Sequence, residues 1–238
     1  MTRTIDAQLV EEALAEIALV DTGGQMAKVI EDARHEACIS RHCEYDVKPA
    51  SLALLITGSD KACETLAKAY TKALYGLGLI DGKAGNPASK TIDWTGQICD
   101  NEASRTMQEQ SWASRKMTEA GKAARSGTLV IRDIHRKPYE GSPDEAEASG
   151  PALKGALEAV TEFVTKGTWG PRTPVVVLTG PEVETRAFIA ATPELAKLFN
   201  NKSVYADACP PLPEVYSTEL ESPITTRRPL TFKPRNIS

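Results

Sequence analysis

Hydrophobic positions along this chain switch between two spacings, and the switching predicts its architecture. Ile5, Leu9, Ala13, Ile17 and Val20 recur at helical intervals. After Gly23-Gly24 the same spacing resumes with Met26, Val29, Ile30, Ala33 and Ala37. Residues 1–48 therefore read as a helical hairpin, packed on the core or presented to a partner. Beyond Pro49 comes a continuous apolar run, Leu52-Ala53-Leu54-Leu55-Ile56-Thr57, closed by Gly58. A run apolar on both faces is the signature of a central parallel strand. It leads through Ser59–Ala62 into a helix over Cys63–Leu77, striped by Leu66, Ala69, Tyr70, Ala73 and Leu74. Two further runs, Gly127–Asp133 and Thr173–Gly180, follow helical stretches at Arg105–Arg125 and Pro151–Lys166. A helix over Glu182–Ala190 and a short strand at Ser203–Ala206 complete the pattern.

Strands alternating with helices predict an α/β core over residues 49–208, a parallel sheet with helices on both faces. Ligands of such sheets sit at the carboxyl ends of the strands. That directs attention to Gly58–Thr65, Arg132–His135 and Thr179–Pro181. From Cys209 the character changes: Pro210, Pro211, Pro213, Pro223, Pro229 and Pro234 interrupt any helix, and residues 209–238 read as an extended tail. Past Glu221 the tail carries Arg227, Arg228, Lys233 and Arg235 without an acidic residue, a candidate partner-binding segment. Tyr139–Gly150 reads as an acidic surface excursion.

Composition narrows the function. A length of 238 residues suits one core domain with additions. A net charge of −4 supplies no general attraction to nucleic acid. No apolar run reaches bilayer length, and Met1–Asp6 lacks the apolar core of a signal peptide. The expectation is a soluble, cytoplasmic protein without membrane insertion. Five scattered cysteines (Cys38, Cys43, Cys63, Cys99 and Cys209) argue against a disulfide framework. Cys38 and Cys43 flank His42, but a fourth ligand has no source, so no metal is expected there. His35, His42 and His135 have no serine or cysteine at motif spacing. Asp133 and His135 alternate at a strand end, either as an acid–base pair or as loop decoration.

The segment after the first strand has a phosphate loop's spacing but not its charges. Such a loop needs a glycine, four residues, then Gly-Lys-Ser/Thr, so that backbone N–H groups and the lysine cradle phosphate. Here Gly58 and Thr65 occupy the outer positions, Cys63 replaces the second glycine and Glu64 replaces the lysine.

At these positions the chain resembles the AAA+ ATPases of the red-type Rubisco activase and stage V sporulation protein K type. The resemblance runs from about Ser51 to Pro213. It is carried by Leu54–Gly58, Thr65–Tyr70, Ala73–Leu79, Gly96-Gln97 and Ser126–Ile131, with Val175–Gly180 and Thr192-Pro193 further on. It implies a three-layer parallel sheet of P-loop NTPase type. In the family the strand matching Leu129–Ile131 ends in Asp-Glu, which hold magnesium; here Arg132-Asp133 stand there. The aromatic expected after Gly-Gln is replaced by Ile98-Cys99, and no arginine follows Thr192-Pro193. The proline-rich tail stands where the helical lid would follow.

A unit charge pair at about 4 Å is worth roughly 4 kcal/mol at an effective dielectric near 20. Glu64 forfeits one such attraction to phosphate and adds a repulsion. Arg132 places a cation where magnesium needs an anion, and phosphoryl transfer depends on that metal. The resemblance therefore implies an inactive AAA+-like protein, with Gly58, Lys61, Glu64, Thr65, Arg132 and Asp133 as a vestigial nucleotide site, no catalytic residue and no cofactor. Glu64 and Arg132 are expected to pair with each other, or to be solvated separately. The protein would act as a scaffold or regulator through contacts with a protein partner, either an active AAA+ ATPase or further copies of itself. The N-terminal hairpin, Glu182–Phe199 and the tail are its candidate surfaces. Three alternatives stay open: ATP or ADP bound without turnover through Gly58, Lys61 and Thr65; an unrelated α/β domain; or a binding module using the basic tail.

Overall fold

The computed structural model describes residues 4–21, 23–43, 46–83, 86–94, 108–135, 150–166, 170–199 and 202–206. The tail with Arg227, Arg228, Lys233 and Arg235, the Gly96–Cys99 positions, Cys209 and most of Tyr139–Gly150 lie outside the described residues.

Five parallel strands form the central sheet: β1 (Leu54–Gly58), β4 (Ser89–Asp93), β5 (Thr128–Arg132), β6 (Val175–Gly180) and β7 (Ser203–Ala206). Their order is β4-β5-β6-β1-β7. A small antiparallel hairpin, β2 (Gly82–Lys83) with β3 (Asn86–Pro87), precedes β4. The continuous apolar runs became β1, β5 and β6, the three central strands, buried on both faces. β4 is a strand that the apolar pattern does not predict. Ser89, Lys90 and Thr91 are exposed, and only Ile92 within it is buried. It occupies the edge, where one flank faces away from the sheet.

Strand alternation sorts the core into two layers. Leu54, Ile56, Val130, Val175, Val177 and Val204 point toward α1 (Ala7–Ala18), α2 (Gln25–Cys43) and α3 (Asp60–Gly76). Leu55, Leu129, Ile131, Val176 and Leu178 point to the opposite layer: α4 (Gln108–Ala123), α5 (Gly150–Lys166), α6 (Glu182–Ala191) and α7 (Pro193–Phe199). This is a three-layer α/β fold, consistent with a P-loop-like core.

The N-terminal helices share that core: Val10, Ala13 and Ile17 of α1, and Met26, Ile30, Ala33 and Ala37 of α2, belong to the same cluster as β1 and α3. Asp6 caps α1 by accepting from the Leu9 N–H at 3.2 Å. Buried Asp21 starts α2 by accepting from the N–H groups of Gln25 (3.2 Å) and Met26 (2.7 Å). Gln25 Oε1 in turn accepts from the Tyr205 N–H of edge strand β7 at 3.2 Å, so α2 occupies part of the hydrogen-bonding edge that the sheet would otherwise present. Among the described residues no helix is long and apolar enough to cross a membrane.

Candidate functional site

The junction between β1 and α3 decides what this end of the sheet can hold. β1 ends at Gly58 and α3 begins at Asp60, with Ser59 alone between them. The spacing of a phosphate loop predicts a loop through Ala62, but the helix starts three residues before Cys63. Ser59 precedes the helix, its carbonyl accepting from the Cys63 N–H at 2.9 Å, and Asp60 puts a carboxylate in the first turn, where the helix dipole favours it. The segment that would wrap around an anion is the first turn of a regular helix. Gly58 has a task within the sheet itself. Its φ is +145°, and a Cβ there would run into the Ala206 carbonyl oxygen, so glycine lets β7 approach β1.

A cleft of about 300 Å³ lies beside α3 at the carboxyl ends of β5 and β6. One face of α3 supplies Asp60, Cys63, Glu64, Ala67, Lys68 and Thr71. The sheet supplies Thr91, Arg132, Asp133 and Thr179. Glu64, Arg132 and Asp133 thus share one cleft, whereas Lys61 and Thr65 are not part of its wall. Lys61 is exposed, and Thr65 Oγ1 donates to the Lys61 carbonyl at 2.9 Å within the helix.

The charges in the cleft pair differently from expectation. Glu64 Oε1 lies 2.6 Å from Lys68 Nζ, one helical turn on, and Arg132 Nε lies 3.0 Å from Asp93 Oδ1. The expected Glu64–Arg132 ion pair is not formed. The i,i+4 lysine is closer to Glu64, and the β4–β5 register sets Asp93 directly opposite Arg132. The Lys68 hydrogen bond holds the Glu64 carboxyl below its ordinary range; the charge of Arg132 contributes in the same direction but least.

Cys63 fills the place of the absent second glycine. Its buried thiol points at the Ile56 carbonyl (3.7 Å) and the Gly180 carbonyl (4.0 Å), and burial pushes its pKa up to about 11. A thiol held protonated in this way is packing, not a nucleophile. Asp133 has φ +57° and donates its N–H to the Thr179 carbonyl at 2.9 Å, turning the chain off the sheet. His135 then passes to the other face: its Nδ1 lies 3.1 Å from where a Gly180 Cβ would sit, beside Thr185 Oγ1, and it is not part of the cleft wall. Asp133 and His135 therefore do not converge on the cleft as an acid–base pair.

Sequence reasoning missed Lys68 and Asp93, the groups that pair with Glu64 and Arg132. Glu64 and Lys68 stand four apart on a helix, which is a readable signal; Asp93 becomes visible only once β4 is known to be a strand. Near the Cys38–Cys43 segment, His42 Nδ1 lies 2.8 Å from the Cys38 carbonyl oxygen. Among the described residues, no three His, Cys, Asp or Glu side chains gather as a metal site would require. No protein-family model and no curated protein matches this chain.

Proposed function

We propose that this chain is a degenerate AAA+-like domain that neither holds nor hydrolyses nucleotide productively and works through protein–protein contact, as a scaffold or regulatory subunit. The observation that carries the reading is the β1–α3 junction, where Ser59 alone separates the strand from the helix. A polyanion needs a ring of free N–H groups and a free cation. At this junction the first turn carries Asp60, and the two cations of the cleft, Lys68 and Arg132, are already matched by Glu64 and Asp93. A phosphate entering would meet Asp60, Glu64 and Asp133, and would have to displace a carboxylate for every cation it gained.

Thermal melts with and without Mg-ATP or Mg-ADP, together with phosphate-release assays, test this reading. Ligand at about 100 times its Kd adds roughly 2.7 kcal/mol to stability, so even modest affinity is visible in the melt. The expected outcome is an unchanged Tm and no phosphate release above background. A saturable shift without turnover would replace the reading with that of a nucleotide-binding regulator seated in the α3 cleft. Turnover would overturn it altogether.

A further inference from the structure

A second cavity, of about 370 Å³, opens at the opposite end of the sheet, where β1 and β7 begin. That volume is within the range of small-molecule sites. Its floor is apolar, with Val29, Leu54 and the ring of Tyr70, whose hydroxyl is used up on the Leu52 carbonyl at 2.7 Å. Asp32 and Glu36 of α2 line the same space, and so does one amine, that of Lys202. Lys202 is anchored at both ends: its carbonyl accepts from the Leu55 N–H at 2.8 Å, and its Nζ donates to the Ala50 carbonyl at 2.7 Å. Burial pulls the Lys202 pKa below the ordinary lysine value, and the charge of Glu36 opposes this only in part. A desolvated amine of that kind presents more of the neutral, nucleophilic form than an exposed one.

We propose that this cavity binds a small neutral aldehyde or ketone through a reversible imine to Lys202 Nζ. The carboxylates of Asp32 and Glu36 outnumber the single amine of Lys202 and repel an anionic ligand, and His35 lines the same space. A neutral carbonyl compound with an apolar body avoids that repulsion, offers the amine an electrophilic carbon and covers the floor. In the step itself, the Lys202 ammonium first gives one proton to solvent, and the freed lone pair forms a C–N bond to the carbonyl carbon while the oxygen takes a proton from nitrogen to give a neutral carbinolamine. A proton from solvent then converts the hydroxyl to water, the C–O bond breaks as that water leaves, and the protonated imine carries the single positive charge of the former ammonium. Its one N–H can retain the Ala50 carbonyl. No oxidant or reductant is consumed.

The test treats the full chain with propanal and cyanoborohydride near neutral pH and follows each lysine by peptide mass mapping. Lys202 should be propylated several-fold faster than the exposed Lys28, Lys48 and Lys61, and its rate should saturate with propanal while theirs rise linearly. Val29→Trp, which fills the floor and leaves the amine in place, should slow labelling at Lys202 and not at Lys61. Labelling of Lys202 that is no faster than the exposed lysines, does not saturate, or is indifferent to Val29→Trp would overturn the proposal.

Discussion

Arg132 and Asp93 face each other across the β4–β5 ladder with Nε and Oδ1 3.0 Å apart, so the cation that ends β5 is answered from the neighbouring strand. Asp93 Oδ1 has no well-aligned hydrogen bond, which makes the contact an ion pair rather than a bonded fork. Both side chains are more than two-fifths exposed, but Asp93 Oδ1 itself is buried with Arg132 as its partner. Arg132→Gln should therefore cost about 1–3 kcal/mol in urea denaturation. The stronger prediction concerns function. The variant Glu64→Lys with Arg132→Asp and Asp93→Asn introduces the charges a phosphate loop with a bound metal would need and avoids two facing carboxylates. It should still show no Mg-ATP turnover and no nucleotide-dependent Tm shift, because the β1–α3 junction remains closed. Turnover in this variant would mean that charge alone, not backbone geometry, was the barrier.

Gly58 is held by the sheet, so the smallest possible side chain is harmful there. Gly58→Ala puts a methyl group against the Ala206 carbonyl at a backbone φ of +145°. Both the clash and the dihedral oppose it, and a loss of at least about 2 kcal/mol is expected. Equilibrium urea unfolding measures it. A neutral result would show that β7 does not pack on β1 as described.

Much of the architecture was readable because burial on both faces leaves a plain mark. Leu54–Ile56, Leu129–Ile131 and Val175–Leu178 are apolar without interruption, and each lies in a central strand. β4 left no such mark, since Ser89, Lys90 and Thr91 are exposed at the edge and only Ile92 is buried. The candidate site was half legible for the same reason. Arg132 could be read as anomalous, but its partner Asp93 lies on the strand that the pattern hides. At α3, two local signals competed. Asp60 in a first turn is an ordinary helix signal, while the Gly58–Thr65 spacing imitates a phosphate loop. The helix prevailed without a capping hydrogen bond from the Ser59 side chain, with Asp60 in its first turn and Ala62 and Cys63 buried along it. Glu64–Lys68 needed only the helical register to be seen.

A hydroxyl pair fixes α3 against β5. Thr71 Oγ1 lies 2.9 Å from Thr128 Oγ1 and also donates to the Ala67 carbonyl at 2.8 Å, all of it buried. Thr71→Val strands the Thr128 hydroxyl, which should cost about 1–3 kcal/mol. Thr128→Val leaves Thr71 its helical carbonyl and should cost less. The double variant removes both hydroxyls and should be more stable than Thr71→Val alone. A double-mutant cycle in urea checks the sign of the coupling; additive losses would refute it.

Across the α1–α3 interface, Lys72 Nζ sits 2.8 Å from Glu12 Oε2 and 2.9 Å from Glu16 Oε1. The hydrogen bond from Lys72, then that from Gln8, holds the Glu12 carboxyl below its ordinary value of 4.5. Glu12 and Glu16 together raise the Lys72 ammonium above its ordinary 10.5. A depressed carboxylate contributes stability above its unfolded pKa and loses it as pH falls through the folded value. A raised ammonium contributes below its unfolded pKa and loses it as pH rises through the folded value. Lys72→Met should therefore flatten both limbs of the Tm profile, the acid one below about pH 4.5 and the alkaline one above about pH 10.5. The acid limb should shrink without vanishing, because Glu64, depressed by Lys68, still contributes there. Lys202 runs the other way: its lowered pKa makes stability rise with pH as the group approaches its unfolded value. Only the difference between wild type and Lys72→Met isolates the interface. The difference should fall in high salt, since Glu12 and Glu16 are open to solvent. Superimposable profiles would show that α1 is held on α3 by its apolar face alone.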